Sequence, residues 1–142
     1  ALLARKLEQL GSHYGALPAH AGLWEAAHAT RDDVAARLAV VPMVLEARAL
    51  DVTPMTVDRF LKAGDERSAR ILQRIVDDEI RHVRFGTTHF AAVCQMRGES
   101  PPQLWKMLVE RHFRGVVKPP FNDSARRSAG LSREMMAGVA CL

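Results

Sequence analysis

The chain has 142 residues, 48% apolar and 25% charged, with a formal net charge of +4. That is enough for one domain, residues 1–142, with a real core, and it excludes a disordered or fibrous chain. No apolar run reaches the length of a membrane span, so no membrane partner is expected. Two cysteines, Cys94 and Cys141, are too few for a disulfide framework, which points to a reducing, cytoplasmic setting.

The chain opens on Ala1 with Leu2, Leu3, Leu7 and Leu10 already in helical register and no N-cap before them. This start reads as the tail of a helix, and the chain as a fragment of a longer one. The helix is expected to end at Gly11. A Gly- and Pro-punctuated loop covers 11–21, and a short helix 22–28. Thr30 reads as the N-cap of a helix over about 31–50, with Asp32 and Asp33 in its first turn. That helix is apolar nearly all round and so reads as buried, and Pro42 should kink it near 38–42. Asp51 to Pro54 reads as its end, with Thr53 capping a helix that runs to Ala63. Asp65 then caps a long helix over 66–97, closed by Gly98. Ser100 opens the next, which Gly115 stops. Residues 116–122 read as a loop, followed by short helices over 123–129 and 132–139. No strand pattern or repeat occurs, so the fold class is all-α.

The chemistry concentrates in the long helix, at Asp77-Asp78-Glu79-Ile80-Arg81-His82. Glu79 and His82 are three residues apart and project from one helical face, a two-ligand grip for a metal. Glu25 and His28 share the spacing, but on a short helix after a loop, where ligands are held less rigidly, so they read as a decoy. Glu46 lies on the buried 31–50 helix. A lone carboxylate there is costly unless it binds metal or pairs with Arg48 or an arginine across the core. Asp78 and Arg81 flank the pair as candidate outer partners of the histidine. Gly86, two turns past Glu79, leaves room for substrate or for close packing of a second helix. His89, seven residues past His82, reads as a pocket residue or a hydrogen-bonded core histidine. Basic residues gather late in the chain, at Arg111, His112, Arg114, Lys118, Arg126, Arg127 and Arg133, as a solvated surface or a face for RNA or another acidic partner.

Asp78-Glu79-Ile80-Arg81-His82 resembles the signature of di-iron carboxylate oxygenases and desaturases. Together with Tyr14–Trp24, Val41–Asp51 and Pro120-Phe121-Asn122, it resembles a bacterial ferritin-like family catalogued as domain of unknown function 455. The resemblance implies a ferritin-like helical bundle in which Glu46 is the lone glutamate of the third bundle helix and Glu79 and His82 are ligands on the fourth. Asp78 and Arg81 would be outer partners that hydrogen-bond and orient those ligands. In that pattern an Asp follows the loop histidine, where this chain has Ala21. The family's earlier ligands precede the residues that align with Ala1. The resemblance further implies two iron ions, or manganese, in the intact protein, with the metal absent or incompletely held by this chain alone. The expected activity is oxygen-activating oxidation or hydroxylation of an unknown small-molecule substrate. Metal storage without turnover and a structural helical module are the rival expectations. A homo-oligomer is expected, because a second copy would restore the ligand count and cover the apolar faces.

Overall fold

The computed structural model describes residues 2–140, and Ala1 and Cys141 lie outside them. Among the described residues the structure is helical, with a single isolated bridge between Val117 and Ala140. None of its helices is long and apolar enough to cross a membrane. The helices are α1 (Leu2–Gln9), α2 (Gly22–Ala29), α3 (Val34–Val40), a π-helical segment (Val41–Glu46), α4 (Ala47–Lys62), α5 (Glu66–Arg97), α6 (Pro101–His112), α7 (Asp123–Ser128) and α8 (Arg133–Ala137).

α3, the π segment and α4 follow one another without a break. Their first cap is Asp33, whose carboxylate accepts from Ala35 N–H, and not the expected Thr30. The Thr30 hydroxyl instead donates back to the Ala26 carbonyl at 2.8 Å, closing α2. The kink expected at Pro42 takes the form of the π segment. There each N–H can reach five residues back, as Ala47 N–H does to the Pro42 carbonyl, so the helix continues past a residue that has no N–H.

Pro54 lies inside α4, so the helix end expected at 51–54 does not exist. A proline in mid-helix leaves the carbonyl four residues back without its donor. Here that carbonyl belongs to Leu50, and the Asn122 side-chain amide donates to it at 3.2 Å. Asp51 is fully buried beside it. Its two oxygens accept from Arg126 Nε at 2.8 Å and Nη2 at 2.7 Å, and one also accepts Asn122 N–H at 3.0 Å. Contacts from some seventy residues downstream therefore carry the helix through a local stop signal. They also remove Arg126 from the basic surface in which the sequence placed it.

Gly64, at φ +76°, turns the chain into α5. Asp65 caps α5 through Ser68 N–H and also holds Lys6 of α1 at 3.0 Å. These bonds, with Ser68 foremost, lower the Asp65 carboxyl to about 2. Gly98, left-handed at φ +67°, ends α5 as expected. At 1.5 Å per residue the helix is about 48 Å long. Its buried residues Ala69, Val76, Val83 and Phe90 recur every seven positions, with Gly86 and Val93 beside them. This stripe packs along α4 and the π segment, the most extensive helix contact in the molecule.

α6 ends at His112, three residues before Gly115. Phe113 turns to extended backbone and packs on the core. A side chain on Gly115 would meet the Phe113 ring at 2.5 Å, so that glycine serves a close approach and not the helix end. Trp105 of α6 is fully buried and donates to the Ala39 carbonyl at 3.0 Å. With Met43, Leu50, Val83 and Phe90 it forms the centre of the core, each such side chain contributing about 1.5–3 kcal/mol by burial. Cys94 is a free, buried thiol.

Candidate functional site

Glu46 is the last residue of the π segment, and Glu79 lies on the stripe of α5 that packs against that segment. Its spacing explains the placement: Glu79, Gly86 and Val93 are seven apart and alternate with the Val76, Val83, Phe90 line. Glu79 thus occupies a position that the pattern reserves for an apolar residue. Its side chain is 21% exposed, and its Oε2 is sealed from solvent with no hydrogen bond. His82 Nδ1 stands 3.4 Å from that oxygen, with a ring 62% exposed at the rim.

Glu46 is half-buried. Burial raises the proton affinity of its carboxyl first, the charge of Glu79 raises it further, and His82 partly offsets both. Glu46 therefore lies within electrostatic reach of both Glu79 and His82. Neither pairs with an arginine among the described residues. Arg48, the neighbour that might have neutralised Glu46, turns away to the Lys118 and Pro120 carbonyls and to Asp51. Glu46 and His82 line a groove of about 490 Å³, together with Arg37, Pro42, Arg81 and Phe85. Among the described residues no three His, Cys, Asp or Glu side chains are grouped closely enough to hold a metal ion as they stand.

Asp78 and Arg81 engage one another. Arg81 donates to Asp78, whose carboxyl is held below its usual range chiefly by that bond, and Arg74 adds a second pairing at 3.4 Å. Gly86 is buried, and a Cβ there would lie 2.6 Å from both Cβ and Cγ of Pro42, so its role is close packing of α5 on the π segment. His89 is exposed, donates to the Phe85 carbonyl at 2.9 Å and stacks on the Phe85 ring at 3.9 Å. It lies outside both the groove and the core. Glu25 lines a different groove, with His20 and His112, and His28 rests on Arg31 at 3.3 Å.

The sequence reading passed over two groove residues, Arg37 and Phe85. Phe85 was legible, since it lies three residues after His82 and so above it on the helix. Arg37 carried no such signal, because the π segment changes the helical phase between it and Glu46.

The family model described as protein of unknown function (DUF455) matches residues 1–137. An uncharacterised protein of Haemophilus influenzae is 38% identical over 132 residues, which is 93% of this chain and 46% of that protein. The chain thus spans about half the length of the curated relative it matches. No solved structure matches. With nearly its whole length matched, the chain belongs to the DUF455 family.

Proposed function

We propose that Glu46, Glu79 and His82 are one part of a di-metal carboxylate centre, iron or manganese, in an oxygen-activating oxidase or hydroxylase of ferritin-like fold. One observation carries the reading. Glu79 Oε2 is buried with no hydrogen-bond donor, on a helix packed against the segment that carries Glu46, and the Glu79 charge reaches the Glu46 carboxyl. Such an atom costs about 1–3 kcal/mol, more when charged, unless something positive meets it. A divalent cation supplies that charge and offsets both the burial and the Glu79 repulsion that raise Glu46.

The donors fit the group in type, and the three side chains would close together around it. Carboxylate oxygens with an imidazole suit iron and manganese. When bound, iron supplies the redox chemistry by which dioxygen oxidises a substrate. The chain's own residues have other tasks. Glu46 and Glu79 present oxygens from two rigid elements. His82 turns Nδ1 towards Glu79 and keeps Nε2 as a donor. Asp78 ties down Arg81 beside the groove, and Phe85 and Pro42 give the groove an apolar wall against water. Three donors cannot fill the shells of two ions. The others come from a second copy of the chain or from the rest of a longer protein.

The test is metal content and solution mass of the protein loaded anaerobically with ferrous iron, followed by dioxygen uptake. Tight iron that Glu46→Gln, Glu79→Gln or His82→Ala each weaken at least about tenfold is expected. Dioxygen uptake with turnover separates an oxidase from a storage scaffold. Iron binding indifferent to all three substitutions refutes the site.

A further inference from the structure

A second cleft, sharing no residue with the carboxylate groove, lies between Phe121, α7, α8 and the turn that joins the two helices. It encloses about 580 Å³, the size of a small-molecule site. Its apolar floor is Phe121, Leu131 and Met136, and three arginines, Arg126, Arg127 and Arg133, stand around it. Arg126 is 3% exposed and held bidentate by Asp51 from behind, with its guanidinium 4.9 Å over the Phe121 ring. That grip uses Nε and Nη2. The remaining nitrogen, Nη1, reaches only the Met136 thioether at 3.2 Å, a weak acceptor. A buried guanidinium is thereby left with donor capacity at the cleft wall, at a fixed position.

We propose that this cleft binds a small organic monocarboxylate with an apolar body. Charge and lining together select the class. Arg133 is paired with Asp123 at 3.1 Å, and Arg126 shares Asp51 with Arg48, while Arg127 forms no ion pair among the described residues. The cleft therefore keeps positive charge, at Arg127 above all, over a floor that is apolar and suits an organic body better than a bare inorganic anion. The guanidinium fork matches a carboxylate in plane and spacing, and the Phe121, Leu131 and Met136 floor takes the body. Arg126 fixes the position, being locked by its ion pair, and Arg127 supplies the uncompensated charge.

The probes are 1-naphthoate, the neutral 1-naphthalenemethanol and 1-naphthyl phosphate, titrated into the whole chain by calorimetry, with methyl NMR of Met136 to locate binding. Arg127→Gln and Arg133→Gln are exposed changes that leave the fold intact, and melting curves check this. Naphthoate is expected to saturate and to shift Met136. The alcohol should bind at least about tenfold more weakly, the phosphate no more tightly, and Arg127→Gln should weaken naphthoate about tenfold, as loss of one charged contact does. Equal affinity for acid and alcohol, tighter binding of the phosphate, indifference to Arg127→Gln, no Met136 shift, or no saturation by any probe each overturns the proposal.

Discussion

Gly86→Ala tests the packing of α5 on the π segment, the two elements that carry Glu79 and Glu46. On an open helix surface the change would stabilise by about 1 kcal/mol, because alanine is the better helix former. Here the new Cβ falls 2.6 Å from both Pro42 Cβ and Pro42 Cγ, with Met43 Cγ at 3.8 Å. Carbon atoms rest about 3.5–4.0 Å apart, so α5 and the π segment must separate by roughly 1 Å. The proline ring is rigid and cannot swing aside. Overpacking of this kind costs about 1–3 kcal/mol and occasionally more. After the helix-propensity gain, a net loss of about 1–2 kcal/mol remains, or roughly 2–8 °C in Tm for a domain of this size. Urea unfolding and calorimetry read it directly. Pro42→Gly removes both clashing atoms, so the double variant should be less destabilised than the two single losses added together. A Gly86→Ala protein as stable as the parent, or strict additivity in the double, would refute the close contact and with it the placement of Glu46 near Glu79.

Arg126→Met should cost about 3–5 kcal/mol in urea unfolding, because it leaves Asp51 buried without its main partner, and Asp51→Leu in the same chain should recover most of that loss. Asn122→Ala removes the donor to the Leu50 carbonyl and the α7 cap, at about 1–3 kcal/mol; adding Pro54→Ala restores an N–H for that carbonyl and should make the asparagine change cheaper. Glu46→Gln should stabilise the metal-free protein at neutral pH. The Glu46 carboxyl is raised above its ordinary 4.5, so above that pH the folded state holds the proton longer than the unfolded one, and stability falls as pH rises until the folded group has ionised. The difference between variant and parent melting temperatures should therefore vanish near pH 4 and grow towards neutrality, and a flat difference would remove Glu46 from its charged neighbourhood.

Local signals fared well where the chain decides locally. Asp65, Gly98 and the seven-residue stripe were enough to place α5 to the residue, because caps and periodicity act within a few positions. Pro54 shows the opposite case. Its missing N–H is a true stop signal, and a local reading must end the helix there. The compensation comes from Asn122 and Arg126, which no short-range rule connects to residue 50 or 51. Thr30 and Asp33 show a smaller competition between two good caps three residues apart. The Thr30 hydroxyl chose the preceding turn, which left Asp33 to open α3. Among the candidate site residues, the three-residue spacing set His82 beside Glu79, with Nδ1 3.4 Å from Glu79 Oε2, as helix geometry requires. His89, seven residues further on, is exposed as His82 is, and it stacks on Phe85 instead of entering a pocket or the core.

Glu46 depends on something that periodicity does not carry. A π turn holds one residue more than an α turn, so every side chain beyond it lags by about 100° relative to a regular helix. Pro42 sits at the start of that turn and removes the bond that would have kept the regular phase. Gly86 gives Pro42 its space on the opposite helix. The proline and the glycine therefore act as one arrangement: the proline sets the phase and the glycine the distance of the two elements that carry Glu46 and Glu79. A sequence reading that treats Pro42 as a kink and Gly86 as a gap finds each residue and misses the coupling, since the link between them exists only across the contact of two helices.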